Sequence, residues 1–439
     1  MYKEVNNNLP HSDAIISNLQ SLVDSLHNRV KELEAENAEL LSRLSNCHCH
    51  KIFEKVKESE ETKAGGDKTK KKKILETNSG YNTEALNHQW KRYVALKVMY
   101  FGQRFYGFAS EAQMDPTVES EIFKALEKTR LLVGDRKESQ YSRCGRTDKG
   151  VSSVGQVIAL FLRSNLKKAS ADNKNSGKVV LQEQNEGEID YVRVLNRALP
   201  KDIRVIGWCP VPLGFHARFS CLSRQYKYFF WRENLNLLAM ESAGKKFVGE
   251  HDFRNLCKMD AENVHNYRRR ITSLDISPCD MRFEGSQIYA IHIKGSAFLW
   301  HQVRCMVAVL FMIGKGLESS DVIDALLDTE RTSRKPQYTM APEIPLVLQS
   351  CEFEDLNFTC SSDAGYALRI HLENERQTYQ LQAAIFHEAV LNCLPLANDQ
   401  SSLKNGIVKR KTSHIPLMSR PTEPSYDERR AKLNSRLQS

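Results

Sequence analysis

Cys144-Gly145-Arg146-Thr147-Asp148-Lys149-Gly150-Val151 is followed closely by Gly155-Gln156-Val157-Ile158-Ala159-Leu160-Phe161-Leu162. The first string is polar with glycines at both ends, and the second is mostly apolar and of strand length. The pair therefore reads as a loop feeding a sheet, with Asp148 on the loop. Loops held by rigid strands are frequent seats of chemistry. Arg146 precedes Asp148 by two residues and Lys149 follows it directly. By Coulomb attraction and by hydrogen bonds to the charged form, both are expected to hold the carboxylate ionised. An ionised, aimed carboxylate serves as a nucleophile or as a base.

Outward from this string the pattern alternates between strands and helices. Tyr93 to Tyr100 reads as a strand, and Thr117 is placed to cap a helix filled by Val118 to Leu126. A helix over Tyr191 to Leu199 stops at Pro200, and Ile203 to Trp208 resumes as a strand. Further strands are expected at Tyr226–Trp231, Ile271–Ile276 and Gln287–Lys294, with a buried helix over Trp300 to Ile313. This order, with its long antiparallel returns, predicts an α+β fold. Arg376 to Leu391 reads as an extra amphipathic helix, and the chain after about residue 400 as an extended tail lying on the core.

Several further strings carry the same stamp. They are Tyr100-Phe101-Gly102 with Phe105-Tyr106-Gly107-Phe108, Phe215-His216-Ala217-Arg218-Phe219-Ser220, and Arg224-Gln225-Tyr226-Lys227-Tyr228. Gly249-Glu250-His251-Asp252-Phe253 and Phe298-Leu299-Trp300-His301-Gln302-Val303-Arg304 complete the set. In order and spacing, the strings spanning residues 89 to 355 resemble the TruA family of tRNA pseudouridine synthases, whose catalytic Asp lies in a G-R-T-D-x-G-V string. Phe108-Ala109, Ser152-Ser153 and Met340-Ala341-Pro342-Glu343-Ile344-Pro345-Leu346-Val347-Leu348 are similar to the eukaryotic branch that acts on uridines 38 and 39 of the anticodon stem-loop. Ser152-Ser153 departs from the His-Ala of many members, which removes one candidate contact near the site.

The resemblance implies two ferredoxin-like (RRM-like) subdomains fused into one mainly antiparallel sheet, with a central RNA-binding cleft. It implies that Asp148 is the catalytic carboxylate, by attack or by a glycal route, and that Arg146 pairs with it or holds open the space of a flipped nucleotide. Tyr226 is then expected to stack on the uracil, with Tyr228 turned to the opposite face, and Arg304 to close over the site. His216 and Arg218 are candidates for stem phosphates, with a buried structural role for His216 as the alternative. Lys227 and the run Arg268-Arg269-Arg270 are candidates for backbone contacts. Making pseudouridine breaks the glycosidic bond, turns the uracil and rejoins it through C5 without a change of oxidation state, so neither metal nor small-molecule cofactor is expected. The implied partner is tRNA.

With 439 residues the chain has length for a large core and for tails. Eleven cysteines are scattered without a secreted-protein framework, which suggests reduced thiols in cytoplasm or nucleus. No apolar run approaches a membrane span, and no signal peptide is read. Net charge is +9, yet residues 63–73 carry +5 and residues 401–439 carry +6, so the remainder sums to about −2. Bulk charge therefore says nothing about RNA; a basic face on the core must be a local patch.

Residues 1–15 are read as disordered and 16–46 as a coiled coil. Leu19, Leu26, Leu33 and Leu40 fill one heptad position and Val23, Val30, Asn37 and Leu44 the other, the pattern of a parallel two-stranded zipper that points to a homodimer or to partner choice, with a solvated single helix or an intramolecular contact as the alternative. A basic linker follows over 47–88. Its Cys47-His48-Cys49-His50 makes a poor tetrahedral cage, and its Lys70–Lys73 run serves as an import signal or a solvating tether. The catalytic halves are assigned to 89–220, with an insertion at 165–189, and to 221–360; 361–439 hold a helix and a basic tail.

Overall fold

In a computed structural model the described residues are 90–110, 114–166, 187–283, 286–393 and 414–438, with parts of a helix between 20 and 38. The basic linker with its Cys-His stretch, most of the 165–189 insertion and the rest of the zipper lie outside them. In that N-terminal unit, residues 23–28 and 30–35 are helical, and Val23, Leu26, Val30 and Leu33 all face solvent.

The larger unit is built on one nine-stranded sheet. Its first half contains β1 (Lys91–Tyr100), α1 (Val118–Lys128), the short β2 (Ser142–Arg143), β3 (Ser152–Arg163), α2 (Tyr191–Ala198) and β4 (Ile203–Pro210). The second half contains β5 (Cys221–Trp231), α3 (Leu237–Lys245), β6 (Gly249–Asp252), β7 (Arg268–Phe283), β8 (Ser286–Gly295), α4 (Gln302–Gly314), α5 (Asp321–Leu327) and β9 (Leu346–Phe353). Strand order is β4-β1-β3-β9-β5-β8-β7-β6, with β2 on β3. Every pairing is antiparallel except β3 with β9. The architecture is thus α+β with a mainly antiparallel sheet.

β1 and β3 read as continuous apolar runs because both of their faces are covered. Val94, Leu96, Val98, Ile158, Leu160 and Leu162 pack under α1 and α2 on one face. Tyr93, Ala95, Val157 and Ala159 pack on the other, against Phe215 and Ala217 of the loop after β4. Helix α1 starts where a reciprocal cap forms: the Ser120 N–H donates to Thr117 Oγ1 and the Thr117 N–H to Ser120 Oγ, each at 3.1 Å. In the second half α3 and α4 cover β5, β7 and β8 through Tyr228, Leu274, Ile291 and Ile293.

The two halves meet at β3 and β9, where Ser153 pairs with Leu348 and donates its hydroxyl to the Leu348 carbonyl at 2.9 Å. Leu348 in turn pairs with Tyr226 on β5. The loop before β3 and the middle of β5 are thereby held across one strand. Helix α6 (Ser362–Leu391) begins earlier than its sequence pattern suggested, docks at Ala364 and runs on largely exposed. The tail returns to the second core: Leu417 is fully buried, and α7 (Tyr426–Gln438) follows.

Candidate active site

The loop between β2 and β3 is clamped by the segment after β1. Phe108 N–H donates to the Thr147 carbonyl at 3.1 Å, Gly150 N–H to the Phe105 carbonyl at 3.2 Å, and the hydroxyls of Tyr100 and Thr147 meet at 2.8 Å in a buried contact. Two glycines make this clamp possible. A Cβ on Gly102 would lie 2.1 Å from the Val151 carbonyl oxygen, and Gly150 sits at φ +80° against Glu343. The aromatic-glycine string and the Asp148 string are therefore two sides of one device that fixes the carboxylate.

Asp148 is 21% exposed, and its acidity is set first by burial and then by groups across the cleft. Burial pushes it up to about 6, more than the opposing pull of Arg304, Trp300 and Lys258; Glu343 adds to the rise. Burial and groups across the cleft, none of them a chain neighbour of Asp148, lead the influences on its charge. Arg146 and Lys149 are both exposed, and the Lys149 ammonium lies 4.6 Å from the centre of the Tyr106 ring. The strongest cation on the carboxylate is Arg304, whose Nη1 is 4.0 Å from Oδ2. Arg304 is itself buried in the first turn of α4. It donates Nε to the Ala341 carbonyl at 2.7 Å and Nη2 to Glu343 Oε2 at 2.8 Å, so the Met340–Glu343 string serves to aim it.

His301, next to α4, holds φ +60° and places Nε2 3.6 Å from Asp148 Oδ2. Burial and then the charges of Arg304 and Lys258 lower its pKa to about 4, so at neutral pH it is an uncharged imidazole. Trp300 is half exposed beside the carboxylate and stacks under the Lys258 ammonium, 3.9 Å from its ring. The Lys258 N–H donates to the Trp300 carbonyl at 2.8 Å. In the sequence Trp300 and His301 share a string with Arg304, but only the arginine carries a signal of a role there. Lys258 has no sequence signal.

Tyr226 faces the same space. Its ring packs edge-on against Phe298, with centroids 5.0 Å apart, and burial followed by the charges of neighbouring groups, Asp148 among them, keeps its phenol neutral. Tyr228 does not turn to the opposite face. Strand alternation puts residues two apart on one side, so Tyr228 follows Tyr226 and is buried against Phe311.

His216 and Arg218 sit on the loop after β4 and not at the carboxylate. His216 Nδ1 accepts from the Arg218 N–H at 3.2 Å and its ring stacks on Phe219, which is 76% exposed and also lies under the Arg218 guanidinium. Arg268 is exposed and paired with Glu250, whereas Arg269 is partly buried, with an Nε that has no hydrogen-bond partner among the described residues. Lys227 lies over the Phe229 ring at 5.4 Å. Asp148, Tyr226, Arg304, Trp300, His301 and Lys258 thus form one cleft, with a carboxylate, an aromatic face and fixed cations.

A family model described as tRNA pseudouridine synthase matches residues 243–354. The tRNA pseudouridine(38/39) synthase of Homo sapiens is 38% identical over 428 residues, covering 91% of this chain and 85% of that protein. The protein of the same name from Saccharomyces cerevisiae is 37% identical over 407 residues, covering 90% and 86%. A tRNA pseudouridine synthase A from Thermococcus sibiricus is 28% identical over 299 residues, covering 68% of this chain and 99% of that one. A solved Cbf5-Nop10-Gar1 complex aligns over 50% of this chain and 45% of that one at 10% identity and a TM-score of 0.23, too distant to bear on the argument.

Proposed function

The chain belongs to the tRNA pseudouridine synthase family and isomerises uridine in tRNA to pseudouridine; from that premise we propose that its targets are uridines 38 and 39 of the anticodon stem-loop and that Asp148 is the acting carboxylate. The observation that carries the proposal is the single cleft in which Asp148 lies against Arg304 and shares space with Tyr226. The target positions follow the names of the human and yeast relatives.

A uridine inside a stem cannot present C1′ to a protein, so the nucleotide is extruded into the cleft. There Asp148, ionised above pH about 6, acts at the sugar, either by attack on C1′ or by taking the neighbouring 2′ proton to give a glycal. Arg304 holds the carboxylate in place and favours its charge. Tyr226 supplies the flat face on which the detached uracil turns before C5 bonds to C1′ and its proton leaves. Arg218, with the exposed Phe219 beside it, is assigned to the flanking stem. This aromatic-cation arrangement suits nucleic acid without reading its sequence.

The exposed seam of Val23, Leu26, Val30 and Leu33 supports pairing of the N-terminal helix with that of a second copy. Sedimentation of a Leu26→Asp, Leu33→Asp chain checks this pairing, the expected result being a monomer.

The central test gives purified protein a tRNA with uridine at 38, 39 and 40, without metal or nucleotide, and maps pseudouridine base by base. Product at 38 and 39 from the native chain and none from Asp148→Ala is expected. Product elsewhere overturns the target assignment, and product from the variant overturns the role of Asp148.

A further inference from the structure

Cys144, Cys221 and Cys351 are far apart in sequence, yet their sulfur atoms all lie within 4.8 Å of one another. Each comes from a different element. Cys144 stands at the start of the Asp148 loop and is fixed by its N–H donating to the Val157 carbonyl at 2.8 Å; Cys221 opens β5; Cys351 lies on β9, where it pairs with Arg224 of β5. All three are free thiols, Cys144 buried and the other two partly exposed.

A second observation points at the same spot. Arg224 is only 9% exposed, and among the described residues it has no carboxylate partner. Its guanidinium donates to three backbone carbonyls, those of Ser296 at 2.6 Å, Cys144 at 3.1 Å and Arg218 at 2.8 Å. A buried, unpaired cation is costly unless negative charge develops beside it. The groups that can supply that charge are the three thiols: Arg224 already holds the Cys144 carbonyl and stands opposite Cys351 across the β5–β9 pairing.

We propose that Cys144, Cys221 and Cys351 form a trithiolate site for one thiophilic divalent cation of the Zn2+ class, tying the Asp148 loop to the strands that carry Tyr226. The geometry is close to what such an ion needs: Zn–S bonds of about 2.3 Å set the sulfurs roughly 3.8 to 4.0 Å apart, so a contraction of at most about 1 Å from the observed 4.8 Å limit suffices. The charges also close. Three thiolates and a divalent ion sum to −1, and Arg224 brings the site to neutrality, whereas a monovalent ion leaves it negative. Binding releases three thiol protons to solvent. Among the described residues no further His, Cys, Asp or Glu joins the group, so a water completes the shell from the side of Cys221 and Cys351. The ion is structural; no step at uridine passes through it.

The test uses the reduced full-length chain carrying Cys47→Ser and Cys49→Ser, so that the N-terminal Cys-His stretch cannot report, with Cd2+ and Zn2+ as probes. One Cd2+ per chain is expected, with a thiolate-to-metal charge-transfer band that disappears in Cys221→Ser and in Cys351→Ser. Zn2+ loading is expected to slow alkylation of all three cysteines by iodoacetamide at least tenfold, read by peptide mass spectrometry, while the remaining cysteines react as before. The mass-spectrometric arm needs no further variant, so it decides the matter even where a serine variant fails to fold. No band, a band that survives loss of all three cysteines, or loaded protein whose three thiols alkylate at the unloaded rate overturns the proposal.

Discussion

Replacing Arg304 by Met removes the strongest cation from Asp148 and leaves Glu343, the group that already pushes Asp148 upward, without its partner. Both effects raise the carboxylate pKa. With Nη1 4.0 Å from Oδ2, Coulomb's law at an effective dielectric near 20 gives about 4 kcal/mol, an upper limit of about three pKa units at 1.36 kcal/mol each. Water reaching the carboxylate screens part of this, and a rise of about one to two units is the working value. The acid limb of kcat/KM, followed by release of tritium from tRNA labelled at uridine C5, is therefore expected to move from about 6 in the native chain toward about 7 to 8 in Arg304→Met. Arg304→Lys keeps the charge and should move the limb less, and Glu343→Gln removes a raising influence and should move it below its native position. Because Arg304 also satisfies the buried Ala341 carbonyl, its loss costs roughly 1–3 kcal/mol of stability, so each profile is taken on protein shown folded by its melting curve. An Arg304→Met limb that stays near its native position, or falls, would falsify the assignment of Arg304 as the group that tunes Asp148.

Further outcomes are expected at Asp148, Tyr226 and Gly102. Burial raises Asp148 above its unfolded value, so the fold favours its protonated form and loses that stabilisation as pH climbs through about 6. The loss is about 3 kcal/mol at pH 7 for a shift of roughly two units. Asp148→Asn should accordingly be more stable than the native chain at pH 7 and equal to it near pH 4, in paired thermal melts, while Asp148→Ala binds tRNA within a few-fold and turns nothing over. Tyr226→Phe should keep most of kcat/KM and Tyr226→Ala should lose roughly 5- to 150-fold, the worth of about 1–3 kcal/mol of base stacking; equal losses in both would instead point to the hydroxyl. Gly102→Ala forces a methyl against the Val151 carbonyl, and overpacking of this kind costs about 1–3 kcal/mol. A melting curve at the native midpoint would show that the clamp on the Asp148 loop is looser than its distances indicate.

What the sequence made legible follows from what is local. The run Gly155–Leu162, the capped helix after Thr117 and the apolar spacing after Trp300 each carry their own periodicity, and each became an element within a few residues of its expected bounds. Asp148 stands out in the sequence because its string is long and glycine-bounded. Its acidity does not, because adjacency in the chain is a poor guide to adjacency in space. Arg146 and Lys149 flank Asp148 along the chain and lie exposed, while Lys258 and Arg304 reach it from the far half of the sheet. The same reason hid the cysteines, which look scattered along the chain and converge only once β3, β9 and β5 stand side by side. That parallel β3–β9 contact has no sequence signature, since two short stretches from opposite ends of the unit form it. It is nonetheless the step on which the site depends: it sets Ser153 and Tyr226 on either side of Leu348. Asp148 from one half then faces Tyr226 and Arg304 from the other, and neither half alone contains both the carboxylate and the aromatic face.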